Sequence, residues 1–390
     1  MISAERLSPE QARVLRALLT GTGIVVAGVL PGFLTASLAP RIRMDFAFSK
    51  ATVGLAVSIF YVVCALLSTP CGRLVGRIGV LPSMRLAAAT TAVSCLAVAL
   101  FANSAAALTA LILVGGIGNS TAGPAASALL AREVATHRQG LAFGAQQSGA
   151  SIGALMAGLA LPVVAIPFGW RWAFVAAAVL SVAAAAFAPG DGKPAAADRR
   201  PTAPHRPGFT EVHGLALGAA AASAAGVGFI SFLVLYSVEN GLSELAAGLL
   251  LVGVSLVATL SRLALGAVGD RAGQDPLPPT AAMIAVSVLG YAALVTGLPG
   301  LIVAGALLAG CTGWSWPAGL TLAVVRRSPE SPAWAVGVLM AGLFGGAAVG
   351  PVLVGVLADR VSFTSAWAAC AALALTSAVA IGATSRRGPA

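Results

Sequence analysis

Apolar stretches of about twenty residues follow one another along the whole chain, broken only by short polar segments. They fall at approximately 17–39, 51–71, 83–102, 107–130, 141–166, 170–188, 212–236, 245–265, 279–297, 300–325, 334–356 and 365–384. A run of that length, wound as a helix, crosses the roughly 30 Å hydrocarbon core of a bilayer. The runs are continuous rather than alternating, which argues against barrel strands. Twelve spans take up about 240 residues of the 390 and leave only short connections. Hydrophobic residues make up 58% of the chain and charged residues 9%, with a mean hydropathy of +0.94. That is too little charge to coat a soluble fold of this size. It is also too apolar for a disordered chain, and it lacks the dense cysteines of a disulfide scaffold. The expected fold class is an all-α membrane protein of about twelve transmembrane helices.

The longest polar stretch, 189–210, is rich in proline and charge and divides the spans six and six. The expected organisation is an N-terminal six-helix half at 1–188, a cytoplasmic central loop at 189–210 and a C-terminal six-helix half at 211–390. With the N-terminus placed in the cytoplasm, eighteen of the 23 Lys and Arg residues fall on cytoplasmic segments. Only Arg41, Arg43, Lys50, Arg171 and Arg360 fall outside. This asymmetry follows the positive-inside rule and puts both termini in the cytoplasm of a multi-pass protein of the cell (inner, plasma) membrane. It also accounts for the net charge of +10 without a nucleic-acid partner. The first span has a basic flank and an A-x-A-like Ala36–Ala39, but it is too long for a signal-peptide core and Pro40 follows, so it reads as a retained span. Cys64, Cys71, Cys95, Cys311 and Cys370 all lie in apolar spans without a CxxC pair. With His137, His205 and His213 in or beside loops, neither a metal site nor a cofactor is expected.

The halves repeat each other. Ser49, Gly54, Leu55, Gly72, Arg77 and Gly79 recur 194 residues later as Ser243, Gly248, Leu249, Gly266, Arg271 and Gly273. Gly140, Gly149, Gly153, Gly158 and Trp170 recur 197 residues later as Gly337, Gly346, Gly350, Gly355 and Trp367. A parallel six-plus-six repeat predicts two pseudo-symmetric halves about an axis along the membrane normal, with substrate between them near the midplane. Gly149-x3-Gly153 and the series Gly346-x3-Gly350-Pro351-x3-Gly355 mark faces where helix backbones pack closely.

The segment after the eighth span runs Gly266-Ala-Val-Gly-Asp270-Arg271-Ala-Gly273, and its counterpart after the second runs Gly72-Arg73-Leu-Val-Gly76-Arg77-Ile-Gly79. Together with the two six-span halves and polar central loop, this resembles the G-x-x-x-D-R-x-G signature of the major facilitator superfamily (MFS). The resemblance covers nearly the whole chain. It implies the MFS fold and a permease that works by alternating access, and it implies that Asp270 and Arg271 latch the cytoplasmic interface in the outward-facing state. In the N-terminal copy Gly76 stands at the Asp position, so a latch there would be weaker or would rest on Arg73 and Arg77 with other partners. Proton-coupled drug exporters of the superfamily carry an Arg in the fourth span and a Gly-Pro pair in the fifth. Here the fourth span has none, and Ala154 follows Gly153.

None of the thirteen acidic residues lies mid-span; Glu239, near the outer end of the seventh, comes nearest to serving as a proton site. Arg262 is the deepest basic residue, about 12 Å further into the bilayer than Asp270 on the same helix. Holding an arginine in the membrane costs about 2.5–3.5 kcal/mol on insertion scales, and its planar fork suits a carboxylate. The position resembles that of a span-eight arginine in carboxylate-transporting members of the superfamily. Structural alternatives are snorkelling to the interface and pairing within the latch. Further candidates for substrate contact are Asn119 in the fourth span, Gln146 and Gln147 in the fifth, Tyr236 in the seventh, and Trp314 and Trp316 in the tenth. Two tryptophans two residues apart point to different helix faces, so at most one meets a central cavity. The expected function is secondary transport of a small solute of the carboxylate or organic-anion class, with a proton as a candidate co-substrate, by a functional monomer. The alternatives are proton-coupled efflux of amphipathic drugs and a non-transporting receptor on the same fold. No nucleophile, base or phosphate-loop constellation suggests an enzyme.

Overall fold

The computed structural model describes residues 8–46, 48–134, 139–187, 209–272, 275–328 and 332–386. Every regular element among them is helical. The first half runs through α1 (Pro9–Ser37), the short α2 (Ala39–Phe46), α3 (Lys50–Ile78), α4 (Val80–Phe101) and α5 (Ala105–Glu133). Its fifth span is divided into α6 (Gln139–Gln147), α7 (Gly149–Ala160), a π turn at Leu161–Ala165 and α8 (Ile166–Phe168), and α9 (Trp170–Ala186) closes the half. The second half runs through α10 (Phe209–Glu239), α11 (Glu244–Ala272) and α12 (Leu277–Val295). Its tenth span is divided into α13 (Pro299–Gly313) and α14 (Pro317–Arg327), followed by α15 (Pro332–Arg360) and α16 (Phe363–Arg386). Among the described residues, eleven spans are long and apolar enough to cross a bilayer, and Trp170–Ala186 is a shorter apolar helix of 17 residues in the position of the twelfth.

Local chemistry sets the helix ends. Ser8 and Gln11 form a reciprocal capping box with Pro9 at the first position of α1. The Ser49 hydroxyl accepts from the Thr52 amide at the start of α3, and Ser104 does the same for Ala107 at the start of α5. The turn between α3 and α4 passes through Gly79 at φ +88°, a conformation costly for a residue with a Cβ.

α1 and α10, which open the two halves, are the most deeply buried spans. One apolar core runs through the second half, the centre and the end of the bundle where α1 finishes, taking in Phe33, Phe60, Phe232 and Trp367. A second cluster, including Ile24, Met84 and Leu130, is confined to the first half at the opposite end, where α1 begins. The end where α1 begins is called the near end below, and the other the far end.

Candidate functional site

The halves meet most closely at the far end, through two interfaces related by the internal repeat. In one, α7 crosses α11: a Cβ on Gly248 would lie 2.9 Å from the Gly158 carbonyl oxygen, and one on Gly158 would lie 2.9 Å from that of Gly248. In the other, α15 crosses α3: a Cβ on Gly54 would collide with the Pro351 carbonyl, and one on Gly355 would lie 2.7 Å from the Lys50 carbonyl. Gly158 and Gly355 are repeat partners, as are Gly54 and Gly248, so equivalent helices cross at equivalent glycines in both interfaces, though in the second each glycine meets a residue about one turn away from the other. Across the second interface the Val352 amide donates to Ser58 Oγ at 2.9 Å, and the amides of Lys50 and Ala51 donate to the Asp359 carboxylate at 3.0 and 2.6 Å. A carboxylate from one half thus caps the exposed amides at the start of a helix in the other.

Ion pairs complete the closure. Glu239 accepts from Arg43 Nη1 at 3.1 Å and Lys50 Nζ at 2.7 Å, and Glu244 from Arg41 Nε at 2.7 Å. The cations in these pairs belong to the first half and the anions to the second. Tyr236 stands behind this lock, its ring against Phe363 and Trp367 and its hydroxyl donating to the Leu294 carbonyl.

At the near end α3 stands clear. A Cβ on Gly72 or Gly76 would meet nothing within 4 Å among the described residues, and Arg73 and Arg77 are exposed. The side chains of Asp270 and Arg271, like Gly266, lie outside the described residues, as does the whole of Gly273. Each half holds its own near end with an ion pair, Arg13 with Glu133 at 3.3 Å in the first and Arg327 with Glu211 and Asp275 in the second. Burial works against the charge on Arg327, yet the two acids raise its pKa above that of an ordinary arginine.

Arg262 occupies the centre and is 3% exposed. It neither snorkels nor meets an acid among the described residues. Its Nη1 donates to the Gln147 carbonyl at 2.8 Å, across to the first half, and its Nη2 donates to the Trp314 carbonyl. The guanidinium carbon lies 5.1 Å from the centre of the Trp314 ring, within cation–π range, and that ring meets Phe33 of α1 edge-on at 6.0 Å. Nε is buried without a partner among the described residues. Both carbonyls are available because both spans break at this level. Gln147 ends α6, Ser148 interrupts, and Gly149 begins α7. Trp314 follows the end of α13, and Pro317, which has no amide hydrogen, begins α14.

The other sequence candidates divide between this centre and the frames of the halves. Gln147 and Trp314 are at the centre. Gln146 is 7% exposed and donates to the Gly123 carbonyl and Ser127 Oγ, tying α6 to α5. Asn119 Nδ2 donates to Cys64 Sγ at 3.2 Å, tying α5 to α3. Trp316 is buried, with its indole N–H unpartnered among the described residues. Gly149 and Gly153 receive Val25 and Val29 of α1, while Gly346 and Gly350 sit against the Ala220 and Ala224 carbonyls of α10. Sequence reading missed the charge-polarised lock, because its partners are about 200 positions apart and each residue alone looks like a loop or helix-end charge.

Two six-helix halves, repeat-related crossings and a central gap in two spans define a multi-pass transport protein. The sequence matches the Major Facilitator Superfamily over residues 21–294 and 215–389, and the chain belongs to that family. No curated protein matches it significantly in sequence. Among solved structures it is similar to a bacterial homologue of the human lysosomal transporter Spinster, crystallised in an inward-facing and occupied conformation. The TM-score is 0.74 and the identity 17%, over 98% of each chain.

Proposed function

We propose that the chain is a secondary transporter of small organic anions, above all carboxylates, working by alternating access, with Arg262 as the counter-charge of the bound anion. The single observation that carries this reading is a guanidinium 3% exposed, held by neutral acceptors and with Nε unused. Carbonyls satisfy its donors but not its charge. A carboxylate would supply charge-assisted, bidentate bonds that are stronger than those to carbonyls. Trp314 and Phe33 beside it favour an anion with a flat apolar body.

The positive-inside asymmetry makes the near end cytoplasmic, so the conformation described is closed to the outside. Asp270 and Arg271 would then engage when the near end closes. With no acid mid-span, a proton would travel with the substrate carboxylate rather than on a buried Asp or Glu. The internal repeat encloses one pathway in one chain, which favours a functional monomer in the cell membrane.

The test is thermal-shift screening of the purified protein against acetate, lactate, benzoate, neutral sugars and cationic amphiphiles, with Arg262→Ala in parallel, followed by uptake into proteoliposomes. Ligands that bind the folded state raise the melting temperature. A carboxylate is expected to stabilise the wild type and not the variant, with uptake lowered about 100-fold or more, in line with losing a charged hydrogen-bonded partner. Equal stabilisation of both proteins by cationic amphiphiles, with no carboxylate effect, would overturn the anion reading.

A further inference from the structure

Arg262 reaches α6 from the second half, and it does so through a main-chain atom. We propose that Arg262 is a clasp that fixes α6, the near-end piece of the fifth span, against the second half, and that an anion releases α6 by taking the donor the Gln147 carbonyl now uses. The proposal rests on the anion reading only for the identity of the releasing group.

Three observations support the clasp. First, α6 is only nine residues long and is separated from α7 by Ser148, so it can tilt without disturbing the α7–α11 crossing at the far end. Second, one planar fork spans both breaks, with Gln147 on one donor and Trp314 on the other. Loss of either bond leaves a buried carbonyl unpaired, so the two breaks are coupled through one side chain. Third, the remaining described side-chain bonds of α6, those of Gln146 to Gly123 and Ser127, run to α5 of its own half. Release from Arg262 therefore leaves the described side-chain bonds of α6 running to the first half alone, with only packing against α11 and α14 still joining it to the second. That lets α6 shift relative to the second half while the centre is occupied.

Hydrogen exchange of the full-length protein in lipid nanodiscs tests this, comparing peptides from α6 with peptides from α7. Arg262→Ala is expected to raise exchange in α6 about tenfold and leave α7 unchanged. Arg262→Lys, a point charge that cannot serve both carbonyls as a fork does, is expected to fall between. Benzoate added to the wild type is expected to raise α6 exchange in the same peptides, and this arm stands even if the alanine variant fails to fold. Unchanged α6 exchange in both variants overturns the clasp, as does a rise spread equally over α6 and α7. If both variants loosen α6 while benzoate does not, the clasp stands and the anion reading falls.

Discussion

At the scale of single residues, the far end depends on positions where a methyl group has no room. A Cβ at Gly54 would collide with the Pro351 carbonyl, a backbone atom that cannot rotate away. Gly54→Val is therefore expected to disfavour the closed far end by about 1–3 kcal/mol, the usual cost of overpacking, or about 5- to 150-fold in population. A cysteine at Ser58, which is buried beneath this crossing at 4% exposure, reports the change. Its labelling by a membrane-impermeant maleimide should accelerate when Gly54→Val is added. An unchanged rate would mean that the α3–α15 contact does not govern closure. Cys64, Cys71, Cys95 and Cys370 are buried and give little background, and the half-buried Cys311 can be replaced.

Among elements, the starts and ends of helices carry the charges that decide which end of the bundle is shut. Asp359 at the end of α15 receives the first amides of α3, and Glu239 at the end of α10 receives both Arg43 and Lys50. Partly exposed pairs contribute about 0.2–1 kcal/mol each and are screened by salt. Glu239→Gln together with Asp359→Asn should raise labelling at the Ser58 reporter several-fold, with a larger rise at low than at high ionic strength. Equal effects at both ionic strengths would assign closure to packing rather than charge. The broken spans act at the same scale. The gaps at Ser148 and at Trp314–Trp316 would leave unpaired carbonyls in a bilayer, and Arg262 serves both.

For the whole molecule, far-end contacts join halves that carry separate apolar clusters at the near end. Transport by alternating access requires that closure to be undone and remade once per cycle. Bridging Ala51→Cys to Arg360→Cys with a short bifunctional thiol reagent should hold the far end shut. Uptake is then expected to fall to background and to recover on reduction, while carboxylate stabilisation of the bridged protein persists. Undiminished uptake by the bridged protein would exclude far-end opening from the cycle.

The spans, their approximate number and the six-plus-six repeat were legible in the sequence because a bilayer demands long apolar helices, and a duplicated half repeats its glycines and tryptophan at a fixed offset. Arg262 stood out for a similar reason, as a charge where none is cheap. Its partners did not, because a main-chain carbonyl has no signature in sequence and becomes available only where a helix breaks in context. Asn119, Gln146 and Tyr236 looked like cavity residues by type and depth, yet they bond within their own halves, a distinction set by which way a helix turns its face. The far-end lock was equally hidden. Arg41, Arg43 and Lys50 lie about 200 positions from Glu239 and Glu244, and only the packing of the two halves brings opposite charges together. Sequence alone determined that the chain crosses a membrane many times in two like halves, since hydropathy and repetition are local properties. Which end is closed and what holds the central arginine were decided by tertiary structure, since both depend on how the halves meet.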